Sequence, residues 1–216
     1  MIDPTRFVEL AAGIHSEIDL EGATRLLAYL DAMLAENEKV NLTAVREREA
    51  AVLFHALDSA AVGCGGFDAA PTKVLDLGTG NGFPGVAVAC FYPYAKITLM
   101  DRTLKKLKAI ERAVQACDFR PGTFEYVQMD AAEAPSRGYK SKFDLITTRA
   151  VGPPIDIAPL AKPLLVRGGR LLCWLSDGME SPSQIKGGLK RLGGVDYYLP
   201  APADRQRHLV HYGRPG

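Results

Sequence analysis

The chain has 216 residues, 47% of them hydrophobic and 24% charged, with a net charge of +1 and a mean hydropathy of -0.02. That is the profile of a soluble globular protein of one domain, with or without an appendage. No apolar run approaches about 18 residues, the first residues lack a basic-then-apolar leader, and the four scattered cysteines form no CxxC pair, so a membrane span, a secretory leader and a zinc site are not expected.

Residues 4–63 show no strand alternation and read as helices. Over 22–38 the apolar residues Ala23, Leu26, Leu27, Leu30, Met33 and Leu34 recur at spacings of three and four, which is one helical face. Leu53, Leu57, Ala60 and Ala61 continue the pattern in a later helix. Residues 1–70 hold 12 acids against 5 bases and form a helical N-terminal extension, closed by the glycine-rich linker 63–71. From 71 to 216 short apolar runs alternate with helical patterns. Strands are expected at 73–77, 96–101, 124–129, 143–148, 170–175, 194–199 and 207–212, and helices at 84–91, 103–117, 154–165 and 179–192. The alternation means a mainly parallel sheet in an α/β fold, packed with the extension into a single unit. Bases lead acids 8 to 4 over 71–120 and 6 to 2 over 183–216, so the second half offers a basic surface.

The first strand runs into a glycine-rich turn, 74–85 (VLDLGTGNGFPG). Gly80, Gly82 and Gly85 fit GxGxxG, a weak signal alone, and the GK[ST] ending of a phosphate loop is missing. Asp76 favours S-adenosyl-L-methionine over NAD: a carboxylate aimed at this turn repels a pyrophosphate but suits a cationic amino-acid end. Pro84 removes an N–H that a pyrophosphate could use. Four glycines within 78–85, Gly78 and Gly80 foremost, suggest close approach of a ligand; the bland alternative is a tight turn with no ligand. Asp101, ending the next strand, suits the two ribose hydroxyls. Asp130 is a candidate acceptor for an adenine amino group, with Ala131 and Ala132 leaving room for the ring. Asp130 with Glu133 also reads as a helix capping box.

The stretch at the end of the fourth strand, 144–154, holds Arg149 and carries neither Asn/Asp-Pro-Pro-aromatic nor a nucleophilic cysteine. An acceptor that needs neither device is guanine N7, a ring nitrogen with an exposed lone pair and no proton to lose. Arg149 is then a positioning residue for a base edge, a phosphate or the cofactor carboxylate, or else a structural arginine at a strand end.

These residues resemble the bacterial small-subunit ribosomal RNA guanine-N7 methyltransferases, also called glucose-inhibited division protein B. The matching pieces are 37–43 (NEKVNLT), 55–59 (HALDS), 75–85 (LDLGTGNGFPG), 148–150 (TRA) and 207–210 (RHLV). The resemblance implies a Rossmann-like seven-stranded methyltransferase fold with a helical N-terminal extension and S-adenosyl-L-methionine as donor. It also implies small-subunit ribosomal RNA, or a ribosomal particle, as partner, and a monomer in the cytoplasm. It carries the cofactor contacts to Gly78, Phe83, Ala131, Ala132 and Arg149, and places His55, Asp58 and Asn41 at the same mouth. A His–Asp pair three residues apart shares a helix face and forms either a structural hydrogen bond or a guanine contact. Many relatives carry a lysine after the fifth strand in a Leu-Lys-Gly context, where this chain reads Leu175, Ser176, Asp177 and Gly178. RNA backbone contacts are expected from Arg102, Lys105, Lys106, Arg137, Lys140, Lys142, Arg205 and Arg207. The competing readings are a diverged methyltransferase of another RNA or a small molecule, a non-catalytic nucleotide- or RNA-binding module, and an NAD enzyme.

Overall fold

A computed structural model describes residues 1–64, 66, 69–185 and 188–214. Two capped helices open it. Asp3 accepts from the Arg6 N–H at 2.8 Å and Pro4 presets the first helical turn, starting α1 (Pro4–Gly13). Asp19 accepts from the Gly22 N–H at 2.7 Å and starts α2 (Leu20–Asn37), whose stripe of Leu26, Leu27, Leu30 and Met33 is buried as the spacing predicts. Then α3 (Arg48–Ala51) runs through a widened π turn, Val52–Leu57, into α4 (Asp58–Ala60).

Five strands are parallel: β1 (Lys73–Leu77), β2 (Lys96–Asp101), β3 (Phe124–Gln128), β4 (Phe143–Arg149) and β5 (Leu165–Ser176). The chain then adds β6 (Gln184–Ile185), β7 (Leu189–Leu199) and β8 (Arg205–Gly213), with β8 antiparallel between β5 and β7. The order is β3-β2-β1-β4-β5-β8-β7-β6, so it reverses between β1 and β4, where such sheets hold ligands beyond their carboxyl ends. Crossovers are made by α5 (Gly85–Phe91), α6 (Leu104–Gln115) and α7 (Pro154–Ala161). Strand alternation divides the core: Val74, Ile97 and Leu99 pack with α2, α5 and α6, whereas Leu75, Leu77 and Ile146 pack with α7. The N-terminal helices join the first of these layers through Phe7, Tyr29, Leu53 and Leu57.

β1 and β2 keep the bounds read from the sequence. The seven expected strands are all present, with two-residue β6 added at the edge. The expected helix 179–192 is corrected: 184–185 and 189–192 are strand, while residues 186 and 187 lie outside the described residues. Pro182 and the Gly187–Gly188 pair disfavour a helix, and Gly188 turns the chain at φ +93°. The helix expected over 154–165 stops at Ala161 because Pro163 cannot extend it, and Leu165 already begins β5. Residues 65, 67 and 68 of the expected linker also lie outside the described residues.

Candidate functional site

Beyond Leu77 the chain turns on glycines at positive φ: Gly78 (+72°), Gly80 (+57°) and Gly82 (+88°). Most of the crowding behind them is the protein's own. A Cβ at Gly82 would fall 1.9 Å from the Tyr29 hydroxyl oxygen, which itself donates to the Asn81 carbonyl at 2.8 Å. A Cβ at Gly85 would meet Leu99 and Asp76, and one at Gly78 would meet Val151. Only Gly80 has open space before it, its nearest neighbour being the Gly78 carbonyl oxygen at 3.8 Å. Thus α2 clamps the turn from below, and the backbone near Gly80 faces the cleft.

That cleft has a volume of about 850 Å³. It lies over the carboxyl ends of β1, β2, β4 and β5 and suits a nucleoside-sized ligand. Its two ends differ in charge. At the β2–β3 end Asp101 and Asp130 line the wall with Met129 and Ala131. Asp101 accepts from the Gly80 N–H at 3.1 Å and the Thr103 N–H at 2.8 Å, one bond per oxygen, leaving lone pairs for two hydroxyls. At the β4–β8 end stand Arg149, Arg205 and Arg207, with Phe54, His55, Phe83 and Trp174.

Arg149 organises that second end. Its Nη1 donates to the Phe54 carbonyl at 2.9 Å and to Asp58 at 3.2 Å; its Nη2 reaches His55 Nδ1 at 3.3 Å and Asn81 Oδ1 at 3.5 Å. The Phe83 ring lies 5.9 Å from the guanidinium carbon and stacks on His55. His55 and Asp58 therefore do not bond each other. The π turn re-aims both toward Arg149. With Nδ1 accepting, His55 donates from Nε2 to the Thr43 hydroxyl at 2.8 Å. Burial and then the Arg149 charge push the imidazole down to about 3, so it is neutral at pH 7 and both nitrogens are engaged.

Asp58 is the hub beneath. Its carboxylate accepts from Tyr197 at 2.6 Å and, in a fork, from Arg207 at 2.9 and 3.1 Å, while its carbonyl accepts from Trp174 Nε1 at 2.7 Å. Burial raises the carboxyl, but Arg149 and Arg207 outweigh burial and hold it below the usual range. One buried acid thus ties α4 to β4, β5, β7 and β8.

The structure relocates several sequence-derived candidates. Asp76 does not line the cleft. It shares the face of Val74, points under the turn toward α5 and is 1% exposed, bonded through Oδ1 to Thr147 at 2.8 Å, with no partner for Oδ2. Asn41 is exposed on its loop, beside a shallow depression with Ala44 and Arg46. The loop is held by buried Asn37, whose side chain bonds Leu42 and Thr43, and Thr43 is the residue that reaches both cleft and His55. The NEKVNLT motif contained both residues, but spacing alone did not say which asparagine turns inward. Asp130 makes no capping box: it accepts from the Ala132 N–H at 2.9 Å in a turn, and Ala132 is exposed outside the cleft. Lys140 and Lys142 precede β4 and so stand at the opposite edge of the sheet, and Arg207 is buried on Asp58 rather than free for RNA. Trp174 and Tyr197, which complete the hub, carried no motif signal.

Burial pushes the Asp76 carboxyl up to about 6, against the Thr147 hydrogen bond, which lowers it. Its folded value lies above the ordinary one, so its stabilising effect is complete below about pH 4 and is lost as pH rises through about 6. The loss is of order 3 kcal/mol. Urea unfolding of Asp76→Asn should therefore show the variant gaining on the wild type from about pH 4.5 to about pH 7.5. A difference independent of pH would contradict this.

Comparison with known proteins now adds identity. Residues 23–184 match the family model described as rRNA small subunit methyltransferase G. The ribosomal RNA small subunit methyltransferase G of Streptococcus gordonii is 32% identical over 91% of this chain and 86% of its own. That of Acetivibrio thermocellus is 28% identical over 94% and 85%. Among solved structures, an Agrobacterium tumefaciens protein described as a predicted O-methyltransferase superposes with a TM-score of 0.54 at 22% identity, over 70% of this chain and 77% of that one. A fibrillarin/Nop5p complex gives 0.53 at 20% identity, over 72% and 79%. At such identities these two likenesses speak for the fold alone, a Rossmann-like methyltransferase sheet.

Proposed function

From the premise that this chain belongs to the rRNA small subunit methyltransferase G family, we propose that it transfers a methyl group from S-adenosylmethionine to N7 of a guanine in small-subunit (16S) ribosomal RNA. The observation that carries the choice of N7 is that, among the described residues, no free general base stands at the arginine end of the cleft. His55 has both nitrogens occupied and is held near 3, and Asp58 is saturated by Arg149, Arg207 and Tyr197. No cysteine lines the cleft. Such a site can align reactants but cannot take a proton, which suits a nitrogen with a free lone pair.

The donor, when bound, supplies a methyl group on a positively charged sulfur. The residues present fit it. Asp101 has acceptor capacity for a ribose, the backbone around Gly80 faces open space, and Met129 and Ala131 make an apolar wall beside Asp130. Arg149 holds Phe54, His55, Asp58 and Asn81 in one arrangement and so fixes the wall against which the acceptor base must sit. Phe83, Val151 and Met179 add apolar surface to the wall there. The cleft is complete within one chain, which supports action as a monomer, and a ribosomal RNA substrate supports work in the cytoplasm.

The test is transfer of isotopically labelled methyl to 16S RNA and to the small ribosomal particle, followed by digestion and identification of the nucleoside. The label should appear as 7-methylguanosine on at least one of the two; its absence from both, or its appearance on another nucleoside, rejects the reading. The rate at saturating substrates should also be flat from about pH 6 to about pH 9, because His55 is held at about 3 and Asp58 below the usual carboxylate range. A rate climbing tenfold per pH unit would reveal a base and contradict the choice of N7.

A further inference from the structure

The three arginines at the acceptor end are not equivalent. Arg207 spends its guanidinium on Asp58 and the Ser176 hydroxyl, and Arg149 spends its own on Phe54, Asp58, His55 and Asn81. Arg205 lines the same cleft and is exposed, and among the described residues no hydrogen-bond acceptor or carboxylate engages it. Its guanidinium carbon lies 4.7 Å from the centroid of the Phe54 ring. The ring holds the guanidinium by a cation–π contact, and its N–H donors have no acceptor among the described residues. Adjacent Asp204 does not quench the charge by pairing with it, since its carboxylate accepts from the Tyr198 hydroxyl at 2.5 Å.

Register sets its height. On β8, Arg207 is paired with Ser176, the last residue of β5, so Arg205 stands two residues further out, beyond the carboxyl edge, on the same side as Arg207. β5 itself ends in neutral Ser176 and then acidic Asp177. Among the described residues, Arg205 thus serves the rim beside the acceptor end as an unpaired cation held on an aromatic ring.

We infer that Arg205 grips a backbone phosphate flanking the target guanine and so sets how deeply the RNA strand enters the cleft. A planar fork held against an aromatic ring suits a phosphate, which accepts two parallel N–H bonds. A stacked side chain also gives up less freedom on binding than a free lysine does. The inference rests on the RNA-methyltransferase reading, yet it is open to a binding test that needs no methyl transfer.

The experiment measures equilibrium binding of 16S RNA to wild type, Arg205→Ala and Arg205→Lys across a salt series, with S-adenosylhomocysteine affinity measured on the same samples. In Arg205→Ala the slope of log affinity against log salt should flatten by about 0.7 to 0.9, one phosphate's worth of released counterion. Affinity at fixed salt should fall roughly tenfold. Arg205→Lys should keep the slope. S-adenosylhomocysteine affinity should be unchanged in both variants, since the cofactor end is built from Asp101, Asp130 and the glycine turn. An unchanged slope in Arg205→Ala, or RNA that fails to bind the wild type, overturns the inference. Methyl transfer failing while the slope change stands overturns only the catalytic reading.

Discussion

Replacing Asp58 with alanine should cost about 3–5 kcal/mol of folding stability, the largest effect of any single substitution in the site. The carboxylate is 2% exposed and neutralises two arginines that are themselves nearly buried, with side-chain exposures of 10% each. Removing it leaves two like charges facing each other without a counterion, and it leaves the Tyr197 hydroxyl only the longer bond to the backbone carbonyl of residue 58, at 3.2 Å. A loss of that size is about a fifth or more of the total stability of an ordinary domain, roughly 5–15 kcal/mol. Asp58→Asn keeps the volume and isolates the charge, so it serves where the alanine variant does not accumulate. Denaturant unfolding supplies the number, and acid supplies the check. The folded carboxyl sits below the ordinary aspartate value, so its contribution is complete above about pH 4 and disappears as pH falls through the folded value. The gap between wild type and Asp58→Asn should therefore hold constant from about pH 5 to about pH 8 and close only in stronger acid. A gap below about 1 kcal/mol at neutral pH would mean that the cluster is a surface-type pair of little energetic consequence.

The reason this residue matters is also the reason the sequence concealed its job. HALDS marked His55 and Asp58 as a pair, since an α-helix puts positions three apart on one face. The π turn over Val52–Leu57 breaks that geometry, and the pair converges on Arg149, more than 90 positions later. The other hub partners, Trp174, Tyr197 and Arg207, lie on three strands 116 to 149 positions from Asp58. No local pattern carries contacts of that separation. What was legible was local: apolar runs bounded by punctuating residues gave β1 and β2 to the residue, and glycine spacing gave the turn. Where strand–helix alternation suggested a helix, as in 179–192, the strand pairing of β7 with β8 decided the outcome. Asp76 shows a subtler failure. Its alternation with Leu75 and Leu77 is plain in the sequence, but which face of the strand held α5 and which way the cleft opened was not.

Arg149→Ala should lower methyl transfer by at least about 100-fold in kcat/KM while leaving the protein folded. The structural half of that statement follows from the hub. Without Arg149, Asp58 still has the two-bond fork of Arg207 and the Tyr197 hydroxyl, so no buried charge is stranded. The functional half follows from what the guanidinium joins. Four groups from three segments meet on it: the Phe54 carbonyl, His55 and Asp58 from the π turn and α4, and Asn81 from the glycine turn. Losing it removes the link between the glycine turn and the π turn at the place where donor and acceptor must be aligned, leaving the Tyr29 clamp from α2 to hold the turn, and misplacement by about 1 Å is enough for a loss of that size. Lysine should not rescue activity, because a single ammonium cannot reproduce a fork that reaches four acceptors. His55 provides a readout independent of turnover. Burial is the first cause of its depressed value and the Arg149 charge the second, so in Arg149→Ala its imidazole should titrate higher than about 3 yet still below an exposed histidine. NMR titration of that ring, alongside kinetics and a denaturation midpoint, separates the possibilities. A folded variant whose His55 has shifted and whose transfer rate matches the wild type would show that Arg149 holds the two segments together without serving the reaction.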